Sequence, residues 1–225
     1  MAGTCSLIFE TSTPHASLAL VTPDGGLEIR EFTSDRSHNA VLFTPLQQLL
    51  ACTEGLQTGL VLVGAGPGSY SGTRVGIAAA QGVALAAGCP AVALPSILAV
   101  PAAANGQACL AIGDARRGSF WTAEVEHSRL LVAPGLTDAA GLLEVIQTYL
   151  TAGLAIFSFE DPARFPLPAA VAAHVKLEFP SASLLWQVWL AADKTCRDEW
   201  ISQIPQPMYL KPPHITPSKF NWPTS

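Results

Sequence analysis

The sequence is poor in charged residues, which make up only 13% of its 225 positions, against about a quarter in an ordinary soluble domain. Its 12 Lys and Arg are outnumbered by 17 Asp and Glu, and the formal net charge is −5. This balance excludes a broad basic face for nucleic acid, so any RNA contact has to be local or made by another subunit. Because 49% of the residues are hydrophobic, we expect an extensive interior or a surface that meets a partner.

The cysteines also lack a recognisable pattern. Their number is odd and no Cys-x-x-Cys spacing occurs, which excludes a disulfide framework and a zinc ribbon. We interpret all five as buried, reduced thiols of a cytoplasmic protein, at Cys5, Cys52, Cys89, Cys109 and Cys196.

A long uncharged stretch raises the question of a membrane span, since no charged residue occurs from Val75 to Gly113. Prolines break this stretch, and its longest uninterrupted piece, Val75–Cys89, is shorter than the ~17 residues that a spanning helix needs. Residues 1–6 lack the basic and apolar regions of a signal peptide. We therefore predict buried helices and no membrane segment.

The most informative stretch, Val61–Ile77, has the pattern of a buried strand, a glycine-rich turn and a helix. Ser69 or Ser71 can cap the helix. Free amides at such a turn can bind an anion, so the turn is either structural or a vestigial phosphate turn. It is not a Walker loop, because no Gly-Lys-Ser/Thr follows, and no acidic residue stands where the dinucleotide motif needs one. The phosphate interpretation would use Gly66, Gly68, Ser69 and Ser71.

The pattern of strands and helices predicts an α/β protein with a weak internal repeat. The order is β-β-β-α-β-α-β-α followed by a reduced second copy, as in two-lobed actin-like and sugar-kinase folds. We expect a mixed five-stranded sheet with helices in an N-terminal lobe (1–105), a reduced C-terminal lobe (106–211) and a proline-rich tail (212–225). Strands are predicted at 6–10, 15–21, 27–33, 60–63, 91–94, 108–113, 120–126 and 154–158, and helices at 37–52, 72–87, 96–104, 138–150 and 181–196. Ser34 or Ser37 should cap the first helix, and Pro45 should kink or break it. From Pro205 the chain should be extended and form a surface strap around residues 208–210.

Four motifs together resemble a known family. Residues 64–76 are similar to the Gly-x-Gly-Pro-Gly-Ser-Phe/Tyr-Thr/Ser-Gly-x-Arg-x-Gly signature of the bacterial TsaB (YeaZ) family, which is glycoprotease-like. Glu10-Thr11-Ser12 resembles its Asp-Thr-Ser, residues 114–118 its Asp-Ala-Arg-x-Gly turn, and residues 206–211 its Glu-Pro-x-Tyr-Leu-Arg ending. The matches occur in the family's order across most of the chain.

The resemblance implies the actin-like (ASKHA) fold and a role in forming N6-threonylcarbamoyladenosine at position 37 of ANN-decoding tRNAs. In this system a paralogue, TsaD, is catalytic, TsaE is the ATPase, and the TsaB family supplies a non-catalytic scaffold. The resemblance thus implies no cofactor on this chain alone, with ATP and a metal held in the complex through partners. It implies contact with tRNA only through the complex.

The residue types at the expected catalytic positions agree with a non-catalytic role. The catalytic paralogue carries His-x-x-x-His after the strand that follows the glycine helix, and the positions here are Ser96 and Val100. Val100 cannot bind a metal. The five histidines of the chain are dispersed, at His15, His38, His127, His174 and His214.

Two further groups allow a structural and a functional interpretation. Glu10, in place of the family's Asp, is either a carboxylate that satisfies a local turn or a metal ligand. Asp114 with Arg116 and Arg117 is either a local ion pair in a hairpin or a catalytic acid beside a phosphate clamp. If the functional interpretations held, the alternative would be a small ATPase or kinase of the actin-like class.

The helices at 37–52 and 72–87 carry more apolar and small residues than one core needs, which predicts a partner-binding face. We expect the TsaD-like paralogue to bind there. In its absence a homodimer should form across a two-fold axis, burying more than roughly 1,000 Å². The predicted interface residues are His38, Leu42, Leu46, Tyr70, Arg74, Ile77, Gln81 and Leu85.

Overall fold

Two five-stranded mixed sheets form the framework of the molecule. The structure, a computed structural model, describes residues 3–34, 38–53 and 55–210, without the side chains of residues 38–40. Ser37, Lys211 and the predicted tail at 212–225 lie outside the described residues.

The first sheet comes from the first half of the chain. Its strands are β1 (Thr4–Glu10), β2 (His15–Val21), β3 (Leu27–Thr33), β4 (Gln57–Gly64) and β5 (Ala91–Leu94). Their order across the sheet is β3-β2-β1-β4-β5, with β1 antiparallel to β2 and parallel to β4. Helix α1 (His38–Ala51) connects β3 to β4, and helix α2 (Tyr70–Ala87) connects β4 to β5.

The second sheet repeats this topology. Its strands are β6 (Cys109–Asp114), β7 (Phe120–Glu126), β8 (Arg129–Thr137), β9 (Ala155–Ser158) and β10 (Val175–Leu177). The order is β10-β9-β6-β7-β8, the same as in the first sheet when matched strand for strand. This confirms the α/β class and the internal repeat.

The helices show where the second copy is reduced. The remaining helices are α3 (Pro101–Ala104), α4 (Ala139–Thr151), α5 (Ala169–Ala172), α6 (Ala182–Ala191) and α7 (Lys194–Ser202). Helix α5 lies in the crossover that corresponds to α2. It has only 4 residues, whereas α2 has 18. The sheet of the second copy is complete, and its second crossover helix is shortened.

Three buried clusters lie between these layers. One lies between the first sheet and α1 with α2, and another lies between the second sheet and α4. The central cluster joins both sheets through α6, which packs on β1 and β4. The amide of Ala182 at the start of α6 donates to Ser17 Oγ on β2 at 2.8 Å. The predicted lobe boundaries stay a prediction, and α6 packs on the sheet formed by the other half of the chain.

Several local predictions need correction. The helix predicted at 96–104 is a 3-10 turn, Ser96–Leu98, followed by α3. The helix predicted at 181–196 ends at Ala191, and α7 begins after a new cap at Asp193. Strands β8 and β10 were not predicted. The expectation of five buried cysteines is wrong, because Cys52 is exposed and Cys89 and Cys196 are only half-buried.

The start of α1 also differs from the prediction. Pro45 lies inside the helix and does not end it. Ser34 is buried, and its hydroxyl has no hydrogen-bond partner among the described residues. The amides that follow it lie outside those residues, so the Ser34 cap stays a prediction. No helix in the described part of the chain is long and apolar enough to cross a bilayer.

Candidate functional site

The glycine turn joins β4 to α2, and its serines differ in role. Ser69 is the N-cap of α2, because its hydroxyl accepts a hydrogen bond from the amide of Gly72 at 3.2 Å. Ser71 is an exposed residue of the first helical turn. At the other end, Gly88 has φ +66° and closes the helix as predicted, since a left-handed residue there favours glycine.

Two backbone amides of the glycine turn, those of Gly66 and Ser69, donate to acceptors within the protein. The amide of Gly66 donates to Ser96 Oγ at 3.0 Å, and the amide of Ser96 returns a bond to the Gly66 carbonyl at 2.8 Å. The amide of Ser69 donates to the Ser12 carbonyl at 2.6 Å. Because the Gly66 and Ser69 amides already have acceptors, they are not free to bind a phosphate in this conformation.

Gly68 shows how closely this turn approaches the β1–β2 turn. A β-carbon at residue 68 would overlap the carbonyl oxygen of Ser12. Glycine is therefore needed here for close packing of two backbones. The role of Ser96 was missed by sequence reasoning, because its partner lies 30 residues earlier in the chain.

Glu10 ends β1 beneath the turn and is completely buried. Its Oε1 accepts a hydrogen bond from the amide of Ser12 at 2.8 Å. Burial raises the pKa of the Glu10 carboxyl, and the neighbouring polar groups of Ser12 and Ser96 lower it in part. Among the described residues, Glu10 Oε2 and Ser12 Oγ have no hydrogen-bond partner.

The bond from Ser12 agrees with the structural interpretation of Glu10, a carboxyl group that satisfies a local turn. A group with no exposed surface is not accessible to a metal-bound phosphate in this conformation. Ser96 and Val100 are also fully buried, at the edge of the central cluster. Within the described ranges, no group of three or more His, Cys, Asp or Glu side chains could hold a metal ion.

The Asp114 turn is a hairpin held by a local ion pair, as its structural interpretation predicts. Arg116 donates to Asp114 twice, from its amide at 2.6 Å and from Nη1 at 3.1 Å. The turn runs through three residues of positive φ, Arg116, Arg117 and Gly118. The amide of Asp114 donates to Glu160 Oε2 at 2.8 Å.

Three of the predicted interface residues are core residues, which corrects the prediction. Leu42, Leu46 and Ile77 are buried between α1, α2 and the first sheet. The sequence pattern could not separate the helix faces, because the apolar stripe that packs on the sheet is flanked by further apolar residues. The side chain of His38 lies outside the described residues.

The other predicted interface residues line one side of α2. Tyr70 is 60% exposed and Leu85 is 85% exposed, the largest value among the large hydrophobic residues that the structure describes. Arg74 is exposed above the Tyr70 ring, 4.9 Å from its centroid, and donates to its hydroxyl. Sequence reasoning missed Phe43 and Leu50, which are exposed on α1.

The segment predicted to be extended from Pro205, with a strap around residues 208–210, contains neither helix nor strand in the structure, and we define the strap as residues 203–210. The carbonyl of Pro205 accepts a hydrogen bond from Gln81 Nε2 on α2 at 3.1 Å. The amide of Met208 donates to the carbonyl of Ala65 in the glycine turn at 2.8 Å. The Tyr209 ring lies 6.1 Å from that of Tyr70, between centroids.

Among the described residues, one open cleft lies beside the first sheet and another lies beside the strap. One of about 320 Å³ is lined by His15, Ser17 and Glu31 on the first sheet and by Phe179 to Ser181. The His15 ring lies 4.0 Å from that of Phe179, between centroids. The other, of about 240 Å³, lies between the strap and the Ala65, Ala93 and Pro95 segment.

The glycine turn, its buried carboxyl group and the two-sheet topology can be compared with known proteins. The family model described as TsaD, tRNA N6-adenosine threonylcarbamoyltransferase, matches residues 30–184, more than half of the chain. The chain belongs to this family. Within this glycoprotease-like superfamily, the curated sequences that it matches are TsaB (YeaZ) proteins.

Two TsaB sequences match this member of the family in part. It is 32% identical over 127 residues to the tRNA threonylcarbamoyladenosine biosynthesis protein TsaB of Escherichia coli, over 54% of each chain. It is 30% identical over 131 residues to the TsaB protein of Haemophilus influenzae, over 55% of each. The chain thus spans about half the length of the curated relatives it matches.

Solved structures related to YeaZ have the same fold over nearly the whole chain. YeaZ from Pseudomonas aeruginosa superposes with a TM-score of 0.65 at 20% identity, covering 92% of this chain and all of that one. A structure described as having similarity to the peptidase YeaZ from the same organism gives a TM-score of 0.66 at 22% identity, covering 94% of this chain and all of that one. The fold is therefore the actin-like ASKHA fold, as predicted.

Proposed function

We propose that the protein is a non-catalytic subunit of the system that forms N6-threonylcarbamoyladenosine at position 37 of ANN-decoding tRNAs. It binds and activates a TsaD-like catalytic paralogue and works with a TsaE-like ATPase in the cytoplasm. ATP, a metal ion and tRNA are bound in the complex through these partners. The TsaB names of the relatives and the match to the TsaD family model support this pathway.

The observation that carries the non-catalytic assignment is the internal use of the polar groups around the glycine turn. Glu10 and Ser96 have no exposed surface, and the amides of Gly66 and Ser69 have acceptors within the chain. General acid–base chemistry requires a titratable group within hydrogen-bond reach of the substrate. Neither buried side chain offers this to a substrate in solution.

The exposed side of α2 supports the binding role. Leu85 and Tyr70 leave large apolar surfaces on a helix whose opposite side is fully packed. Such surface is typical of a protein interface. The paralogue is a suitable partner because two chains of one fold can pair such helices across a two-fold axis.

Reconstitution of the tRNA modification tests the proposal. The paralogue, the ATPase and substrate tRNA are incubated with and without this chain, and the modified nucleoside is measured by mass spectrometry. We expect product only when the chain is present, and we expect the Glu10→Gln variant to support it equally. Loss of product with a folded Glu10→Gln variant would overturn the non-catalytic assignment.

Calorimetric titration of the isolated chain with ATP and Mg²⁺ tests the alternative, a small ATPase or kinase. We expect no binding in the micromolar range. Micromolar affinity, lost when Ser69 is changed to Ala, would favour the alternative.

A further inference from the structure

The exposed side of α2 is lined along its centre by residues with small side chains or none. These residues are Ser71, Ala78, Gly82 and Ala86. At 3.6 residues per turn they lie within about 80° of one another around the helix axis. A second helix can approach closely along this line, because the distance between packed helices depends on the side chains at the contact. The 85% exposed side chain of Leu85 lies beside the line.

The two crossover helices of the first sheet carry almost no charge. Helix α1 contains no Asp, Glu, Lys or Arg, and Arg74 is the single such residue in α2. The strap, residues 203–210, adds none. The acidic residues nearest to α1 in the sequence, Asp35 and Glu54, lie outside the described residues. The charge that α1 and α2 present to a partner is therefore the guanidinium of Arg74.

This guanidinium is held in position by aromatic side chains. It lies 4.9 Å from the centroid of the Tyr70 ring and donates to the Tyr70 hydroxyl. The Tyr209 ring packs near that of Tyr70 in turn. An aromatic face orients a cation without neutralising it.

The charge of Arg74 has no carboxylate partner among the described residues, since the ion pairs found there involve other arginines, lysines and histidines. A partner that packs beside Arg74 removes water from the guanidinium, and this costs free energy unless the partner supplies a carboxylate. A guanidinium in a fixed position can bind a carboxylate through two parallel hydrogen bonds.

A second copy of the chain cannot supply this carboxylate from the same helices. In a two-fold pairing both copies present α1 and α2. In any register these helices bring no carboxylate and a second Arg74. Unpaired or like charges across an interface disfavour that pairing. A paralogue with an acidic residue opposite Arg74 has neither disadvantage.

We propose that Arg74 selects the partner of the α1–α2 face, by donating to a carboxylate on the facing helix of the catalytic paralogue and by disfavouring a second copy of this chain. The inference rests on the proposed function, because it describes the chemistry of the partner at the same helix. Charges at the edge of an interface act mainly on specificity, association rate and salt dependence. The preference for the paralogue should therefore weaken as salt is added.

Titration of the full chain with the catalytic paralogue, at low and at high salt, tests the attractive half of the proposal. Arg74→Gln removes the charge, and Arg74→Lys is the matched control that keeps it. At low salt we expect Arg74→Gln to bind about three- to tenfold more weakly than the wild type, and Arg74→Lys to lie closer to the wild type. The difference between Gln and wild type should shrink at high salt. Equal affinity of wild type and a folded Arg74→Gln variant at low salt would overturn the inference and leave the proposed function standing.

Light scattering of the same variants without the paralogue tests the repulsive half. We expect Arg74→Gln to self-associate more strongly than the wild type at the same concentration. Equal or weaker self-association of the folded variant would overturn the selection, because Arg74 would then not disfavour the second copy. Leu85→Ala is the control without a charge effect and should weaken both pairings. If the wild type does not bind the paralogue at either salt concentration, the proposed function itself fails.

Discussion

The carboxyl group of Glu10 occupies the space beside Gly64 where any other residue would place its side chain. A β-carbon on residue 64 would overlap Glu10 Oε2 and would lie 2.6 Å from Ser96 Oγ. The two residues lie at the carboxyl ends of β1 and β4, which are parallel neighbours. The glycine at the end of β4 is therefore required by the buried carboxyl group.

We expect Gly64→Ala to lower the free energy of unfolding by about 1–3 kcal/mol, because it overpacks a buried position. Urea denaturation measures the change. Gly82→Ala is the matched control, since residue 82 lies within α2 and its added β-carbon would meet no atom within 4 Å apart from its chain neighbours and the adjacent helical backbone. The control should gain about 0.5–1 kcal/mol from helix propensity. Equal effects of the two substitutions would contradict the proximity of Glu10 and Gly64.

The raised pKa of Glu10 predicts a pH-dependent stability. Above pH 4.5, the ordinary pKa of a glutamate side chain, the unfolded chain releases the Glu10 proton while the folded chain keeps it. The contribution of Glu10 to stability is therefore fully present below pH 4.5 and falls as the pH rises through the folded pKa. We expect Glu10→Gln, which stays neutral, to become more stable relative to the wild type over this range. Urea denaturation at a series of pH values measures the difference, and a constant difference would show that Glu10 titrates normally in the fold.

Ser69 and Ser71 should respond differently to removal of the hydroxyl. Ser69→Ala loses the N-cap of α2 and should destabilise the protein by about 1 kcal/mol. Ser71→Ala places a better helix former at an exposed helical position and should be neutral or slightly stabilising. Thermal unfolding of the two variants measures the difference in stability. A greater loss of stability in Ser71→Ala than in Ser69→Ala would place the start of the helix elsewhere.

The predicted homodimer can be tested with one exposed and one buried leucine. Leu85→Ala should leave the free energy of unfolding within about 0.5 kcal/mol of the wild type, because the residue is exposed. It should also weaken self-association in light scattering at micromolar concentration. Leu42→Ala should destabilise the fold by about 2–5 kcal/mol, since it removes a fully buried side chain. A monomeric wild type at these concentrations would refute the homodimer.

The elements with strong local signals could be predicted from the sequence. The strands of the first sheet, the Ser69 cap and the Gly88 end of α2 all follow from patterns within a few residues. Strand β8 was missed because Pro134 and Gly135 have the pattern of a turn, although an edge strand tolerates proline. Strand β10 has only three residues, too few for a periodic pattern.

The arrangement of the candidate site depends on contacts that a local pattern cannot contain. Ser96 bonds to Gly66, and Ser17 bonds to Ala182, 165 residues away. The motifs did identify Glu10, the glycine turn and the Asp114 turn as positions with a particular structural or functional role. Leu42 faces the sheet and Phe43 faces solvent. Because both residues are apolar, the sequence pattern does not distinguish them, and their placement depends on tertiary packing.

The packing of α6 on the first sheet has a consequence for the order of folding. The strands of that sheet are complete by Leu94, but the helix that covers their inner surface begins at Ala182. Ile8 and Leu62 belong to the central buried cluster that α6 covers. During synthesis they stay uncovered by α6 until nearly ninety further residues have been added, roughly the stretch from the end of β5 to the start of α6. A ribosome-bound chain that stops before Ala182 should therefore expose this apolar surface and bind chaperones. A chain extended past Ala191 can bury the surface under α6.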